Sequence, residues 1–408
     1  MIGLSLEPDS YPMKEADKPL LMVFPMDFAS HYLRCITLCK KLKSSFRIEM
    51  ADSGEYRQFM MAAHQETFKV ASFKRENIKD HAASFDFSWL NERDLSNILE
   101  SQIEIIQEKK PYAVLGDTSF TLKMAAEKAS VRFVSLVNSY MTKYYGLWRG
   151  VPRSHPGYKF SKTLPPRLFE IIAKEMEGRA LRSVHQSFRN LRKTNQLRPT
   201  EFLLDELEGD LNLVCDLPEL FPLQDPPENY RCIGPLFHMG EVEETDVLGF
   251  LDGSTKNILV TMGSSGDMKL LSILEDSVFG DHKFILSGNG QSSLNLRNSI
   301  SKPFINSFSV MPNVDLVICH GGNGTIYQAL SHGVPVLCLP ANFECEWNSY
   351  RIQSCGLGEV IDPDISAIEL RLKIDAWIKR RGSAQFSSIS REIVEYLNSP
   401  VEVLPYLK

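Results

Sequence analysis

No run in this 408-residue chain approaches the roughly 20 consecutive apolar residues that a membrane-spanning helix requires. The opening MIGLSLEPDSYPMKEADKP has acids and prolines where a secretory leader has a basic start and an apolar core. A soluble, cytoplasmic protein with no transmembrane segment is therefore expected. Positive charge is not in excess either: 45 Lys and Arg against 51 Asp and Glu leave a formal net charge of -6. That argues against a nucleic-acid partner, because binding a phosphate backbone needs a basic surface. The eight cysteines (Cys35, Cys39, Cys215, Cys232, Cys319, Cys338, Cys345 and Cys355) form no CxxC pair and no regular framework. They read as buried reduced thiols, Cys35 and Cys39 as a core-facing helix stripe, and no metal site is expected. Repeats at the solenoid periods of about 20–50 residues and low-complexity tracts are also missing, which excludes solenoids and arrays.

What is present is a series of short apolar runs separated by helical patterns, and the series occurs twice. LLMVF, RIEM near 48, YAVLG (112–116), RFVSLV (132–137) and LNLVC (211–215) read as buried strands of a first half. NILVTM (257–262), KFIL (283–286), DLVIC (315–319) and PVLCL (335–339) repeat the pattern in a second. Continuous apolar strands alternating with amphipathic segments indicate parallel sheets covered by helices on both faces. The chain is also too long for one core. The fold class is thus α/β, with two Rossmann-like, doubly wound parallel-sheet domains. The expected division is 1–235 for the first, a linker at 236–254 where Gly234-Pro235 and an acidic stretch break regular structure, and 255–385 for the second. A helical tail, 386–408, is expected to pack back on the first domain.

Two places carry chemistry. In DLVICHGGNGTIYQALSHGVPVLCLP a strand passes through a glycine-rich turn into a helix that begins near Asn323. Gly321, Gly322 and Gly324 remove side chains where a ligand approaches the backbone, and the helix start presents unpaired N–H groups at its positive end, suited to a diphosphate. His320 and the Thr325 hydroxyl can add hydrogen bonds. On this turn alone, glycine needed only for tight geometry explains it equally well. In the first half, strand LLMVF leads through FPMDFASH into a helix, with Ser30 as the expected N-cap. His31 then sits at the carboxyl edge of the first strand, where ligands bind in open α/β sheets, and Asp117 follows another strand.

The run HGGNGTIYQALSHGVPVLCLP, followed by FECEWNSYRIQSCGLGEV, resembles the donor-binding signature of the UDP-glycosyltransferase superfamily, including its bacterial natural-product glycosyltransferases. CIGPL (232–236) and FLDGSTKNILVTMGSSG resemble that family's domain-joining and phosphate-side segments more weakly. The resemblance implies the GT-B arrangement, two domains facing across a cleft, with an acceptor held by the first and a nucleotide sugar by the second. It places Gly263 and Ser264 opposite His320 beside the phosphates, with Gly322, Asn323, Gly324 and Thr325 at the helix start. Phe304, followed by Ile305, stands where an aromatic stacks on the base. Gln328 replaces a Glu that accepts ribose hydroxyls in plant members, and Glu344-Cys345 replaces an acid–Gln pair that grips the sugar. The resemblance also assigns His31 as general base and Asp117 as its partner. Pro25 and His31 match the family here, whereas Ser30 replaces a glycine and Arg34 a frequent proline.

The expected activity is therefore an inverting, metal-independent transfer of a hexose or deoxyhexose from a UDP- or TDP-linked sugar to a hydroxyl of a natural product or lipid. No cofactor beyond that co-substrate is expected. A nucleotide-sugar epimerase of the same fold, and a non-catalytic nucleotide-sugar-binding scaffold, remain alternatives. A monomer or homodimer is expected. The segment 141–200 holds 13 Lys/Arg against 3 Asp/Glu with interleaved aromatics, and reads either as a surface facing the acceptor or an anionic membrane, or equally as a solvated amphipathic helix pair. Asp362-Pro-Asp364 reads as a simple loop.

Overall fold

The computed structural model of the chain describes residues 17–73, 75, 78, 81, 86–240, 243–251, 253, 255–263, 266–288 and 293–407. The opening segment discussed above lies mostly outside them, and so does Ser264.

Two sheets, parallel throughout, organise the molecule. The first has the order β3-β2-β1-β4-β5-β6-β7, built from β1 (Leu20–Pro25), β2 (Arg47–Ala51), β3 (Glu66–Phe68), β4 (Ala113–Asp117), β5 (Arg132–Val137), β6 (Leu211–Val214) and β7 (Tyr230–Cys232). The second has the order β10-β9-β8-β11-β12-β13, from β8 (Lys256–Thr261), β9 (His282–Ser287), β10 (Ser299–Lys302), β11 (Leu316–Cys319), β12 (Val336–Cys338) and β13 (Gly358–Val360). Each sheet thus winds outward both ways from its first strand, and the strand order reverses between β1 and β4 and again between β8 and β11. At such a switch point the helices that follow the two central strands lie on opposite faces, leaving a crevice at the strands' carboxyl ends. Pro25 pairs with Asp117 in register at one crevice, and Thr261 with Cys319 at the other. The central strands are buried on both faces, which is why they read as unbroken apolar runs.

Helix α1 (Ala29–Leu42) starts earlier than the sequence suggests. Phe28, extended and without a side-chain cap, occupies the N-cap position, and its carbonyl accepts the amides of His31 and Tyr32. Ser30 therefore lies within the first turn and does not cap it. Packed beside the first sheet are α2 (Glu92–Lys109), α3 (Leu122–Ala129), α4 (Pro166–Val184) and α5 (Gln186–Thr194). The second sheet is accompanied by α6 (Asn323–Ser331), α7 (Phe343–Ser354), α8 (Ala367–Ile378) and α9 (Ala384–Asn398).

The stretch joining the two sheets is packed at several points rather than solvated throughout. Leu236 enters the first domain's core and Phe237 the second's, while Glu244 accepts the Asn306 amide at 2.8 Å and pairs with Lys302 at 2.9 Å. After α9 the chain crosses back, and Val401, Val403 and Leu407 are buried in one apolar cluster with Leu21, Leu42 and Leu213. Lys41 of α1 ties the crossing down by donating to the carbonyls of Leu397 at 2.6 Å and Ser399 at 2.7 Å. Among the described residues no helix is long and apolar enough to cross a membrane.

Candidate active site

The switch point of the first sheet holds a hydrogen-bonded triad rather than a pair. His31, in the first turn of α1, meets Asp117 at the end of β4, with Nδ1 2.8 Å from Oδ1. Arg34, one turn further along the helix, embraces the same carboxylate: Nε donates to Oδ2 at 2.5 Å and Nη2 to Oδ1. Asp117 is wholly buried, and burial alone would raise its carboxyl pKa; the Arg34 guanidinium and then His31 outweigh that and hold it well below the usual carboxylate range. Arg34 stood in the sequence as a departure from the family pattern, yet it is the nearest charge to the proposed dyad. Both oxygens of Asp117 are thereby engaged, Oδ1 by His31 and Arg34 and Oδ2 by Arg34.

Arg34 opens a buried chain of hydrogen bonds that runs to the other domain. Its Nη1 donates to Asn138 Oδ1 at 2.6 Å, and Asn138 Nδ2 donates to Asp216 at 3.2 Å. Asp216 also accepts the Ser139 amide at 2.7 Å, the Tyr327 hydroxyl at 3.2 Å and, at 3.0 Å, the side chain of Asn323, the first residue of α6. The Asn323 side chain is thereby committed to the first domain, so toward a ligand it offers its backbone N–H. A second bridge joins the Tyr140 hydroxyl to Glu344 Oε1 at 2.6 Å. Asn138, Tyr140 and Asp216 were not singled out in the sequence. Asp216 had a usable signal, an acid just past an apolar strand, the pattern that marks Asp117.

At the second switch point, His320 ends β11 and is enclosed by glycine. A Cβ on Gly263, whose φ is +57°, would come within 2.5 Å of the imidazole, and one on Gly322 within 2.6 Å of Nε2. Burial pushes the His320 pKa down to about 4, so the ring is neutral near pH 7 and has one N–H to donate. Its Nδ1 is buried with no hydrogen-bond partner among the described residues. Gly322 holds the N-cap position of α6 without a side-chain cap, which leaves the first amides of that helix for a ligand. Gly263→Ala adds a left-handed backbone penalty of about 1–2 kcal/mol to the clash with His320. Affinity for UDP or TDP is expected to fall at least about tenfold, with the thermal transition lowered by only a few degrees. Unaltered calorimetric affinity would detach this turn from the diphosphate.

The remaining residues named from sequence fall around one cleft of about 1730 Å³, bounded by both domains. Phe304 is half exposed there, its ring 5.3 Å from Phe59 of the first domain, whereas the neighbouring Ile305 is a core residue. Thr325 and Glu344 line the cleft. Gln328 does too, with its amide nitrogen donating to the His238 carbonyl at 2.8 Å. Cys345 is buried, its amide capped by Asn342 at 3.0 Å, and burial raises its thiol well above the usual range. No group of three metal-ligating side chains occurs among the described residues. Within the basic segment, Arg192 is not a surface charge: it is buried between Glu206, at 2.7 Å, and Glu127, at 2.8 Å, because α5 packs this arginine inward.

Two sheets of Rossmann order whose switch points face one cleft define the GT-B fold. Residues 257–363 match the family model described as glycosyltransferase family 28 C-terminal domain, which spans the second sheet and the His320 turn. Among curated proteins, the chain is similar to a PGL/p-HBAD biosynthesis glycosyltransferase of Mycobacterium tuberculosis (strain ATCC 25177 / H37Ra), at 24 % identity over 280 residues, 66 % of this chain and 64 % of that protein. The matched region therefore spans just under two thirds of that relative's length. It is also similar to a PGL/p-HBAD biosynthesis rhamnosyltransferase of Mycobacterium bovis (strain BCG / Pasteur 1173P2), at 22 % identity, covering 88 % of this chain and 80 % of that one. Among solved structures, the spinosyn rhamnosyltransferase SpnG complexed with thymidine diphosphate superposes with a TM-score of 0.62 at 16 % identity, covering 92 % of this chain and 95 % of that one.

Proposed function

We propose that the protein is an inverting glycosyltransferase that moves a hexose or deoxyhexose from a UDP- or TDP-linked donor to a hydroxyl of a small-molecule acceptor. The observation that carries this reading is the meeting of two half-sites across one cleft: a His–carboxylate pair on the first domain and a glycine-lined helix start with a neutral histidine on the second. The volume supports it, since a single ligand pocket usually measures about 300–1,000 Å³ and this cleft is larger. The names of the curated relatives support it as well.

The chemistry follows from the geometry. Asp117 accepts the Nδ1–H of His31, fixing the tautomer that leaves the Nε2 lone pair for the cleft. The acceptor oxygen attacks the anomeric carbon and its proton passes to Nε2, while the bond from that carbon to the phosphate oxygen breaks. The electron pair leaves on the nucleoside diphosphate, whose growing charge the amides at the start of α6 and the His320 N–H stabilise. Attack opposite the leaving group inverts the anomeric centre. An epimerase would need no acceptor.

The test is to incubate the protein with UDP- and TDP-sugars, with and without a panel of alcohols and phenols, in the presence of EDTA. Diphosphate release that depends on an added hydroxyl compound, and persists in EDTA, is the expected result. Isomerised free sugar without an acceptor, or activity abolished by EDTA and restored by manganese, would overturn the reading.

A further inference from the structure

Besides His31 and the glycine turns, the same cleft has an apolar part, its chamber, to which α4 contributes. Trp148, Phe169, Ala173, Leu181, Trp89 and Phe120 line it. These are apolar walls on a scale no nucleotide sugar needs. The helix that closes the chamber is unusual on its outer side, where Leu168, Ile171, Ile172 and Met176 stand exposed at i, i+3, i+4 and i+8, Ile171 at 67 %. Phe160, just before the helix, is exposed as well. Ile172 and Met176 also line the cleft, so the exposed stripe coincides with the chamber's mouth.

The charge around this stripe is positive in balance. Between 156 and 184 the chain has six Lys/Arg against three Glu, in a protein of net charge -6. Lys174 and Arg179 pair with Glu170 and Glu175 on the helix itself, whereas Lys159, Lys162 and Arg167 have no carboxylate partner among the described residues. An apolar stripe of this size costs solubility unless something covers it. A stripe flanked by unpaired cations matches the interface of an anionic bilayer, where apolar chains enter the acyl boundary and cations meet the headgroups.

We propose that α4 and the segment before it dock on an anionic membrane surface, and that the chamber receives the apolar portion of a lipid acceptor drawn from that surface. The acceptor half of this inference rests on the glycosyltransferase reading above; the docking half stands without it. With the chamber mouth at the interface, a lipid's hydroxyl end enters toward His31 while its apolar portion passes from one apolar medium into another.

The experiment is sedimentation of the full chain with phosphatidylcholine vesicles, with and without phosphatidylglycerol, at low and high salt. Binding to the anionic vesicles alone, weakened as salt rises, is expected. The double variant Leu168→Glu/Ile171→Glu, whose positions do not line the cleft, is expected to lose at least about tenfold in vesicle affinity while keeping its affinity for UDP or TDP and its thermal transition. In activity assays, lipid alcohols presented in anionic vesicles are expected to be glycosylated by the parent and poorly by the variant, and a short soluble alcohol equally by both. Absence of vesicle binding, or equal binding by the variant, overturns the docking surface. A parent dimer that the variant dissociates assigns the stripe to a second copy and overturns it too. Loss of transfer to every acceptor, with vesicle binding intact, counts against the glycosyltransferase reading and against the lipid acceptor, not against docking.

Discussion

Replacing His31 by alanine is expected to slow transfer by about 10²- to 10⁴-fold, the range removed with a positioned general base, while affinity for the nucleotide changes little. The two effects separate because base and anion site belong to different domains. His31 stands on α1 beside Asp117, and the groups proposed to face a diphosphate follow β8 and β11. Turnover and calorimetric nucleotide affinity, measured on the same preparation, decide the matter. A variant that loses both in parallel would make His31 a donor-site or folding residue, and one that keeps its turnover would end its assignment as base. Added imidazole offers a further check, because a small base that enters the vacated space is expected to restore part of the rate.

Arg34→Met is expected to destabilise the first domain by about 3–5 kcal/mol, the usual cost of removing one partner from a buried ion pair. Arg34 supplies both oxygens of Asp117 with donors and engages Asn138 too, whereas Asp117 is fully buried. Without the guanidinium, the carboxylate keeps His31, the Thr118 hydroxyl at 3.2 Å and the weak Cys35 thiol donor to offset its desolvation. The pH dependence carries the same information. In the parent, the Asp117 carboxyl is held below its unfolded value, so its contribution is complete above about pH 4 and is lost as pH falls through the folded value. In the variant burial dominates, the carboxyl rises, and the stability loss on acidification begins at higher pH. Denaturant titrations across pH 3–8 measure both quantities. Parent-like stability in the variant would mean that Arg34 is dispensable to the buried carboxylate.

The parts of this architecture legible in the sequence are those where burial is complete. LLMVF, YAVLG, NILVTM and DLVIC lie at or beside the sheet centres, where both faces are covered and only apolar residues serve. The strands that escaped notice, β3, β7, β10 and β13, are the outermost of each sheet. ETF, YRC, SISK and GEV are three or four residues long and bury little, so no apolar run marks them. The turn at 320 was readable because glycine, histidine and a helix start lie within a few residues of one another. The Arg34–Asn138–Asp216–Asn323 chain was not, because its successive members are 104, 78 and 107 residues apart and no local spacing announces them. Arg34 shows the hazard of judging a residue by the pattern it breaks: its meaning lay in the burial of Asp117, which only the folded chain displays.

The polypeptide passes between the domains twice, once between β7 and β8 and once after α9, where Val401, Val403 and Leu407 return to the first core. A single joint would let one domain swivel about any direction. Two joints define a line, and a rigid body held along a line keeps one rotation. Once the Asp216–Asn323 and Tyr140–Glu344 bridges open, relative motion of the halves would be reduced to swinging about that axis, like a book about its spine. His31 and the start of α6 lie on facing pages of that book. Their separation is then a function of a single angle, so whatever sets the angle sets the alignment of attacking oxygen and leaving phosphate together.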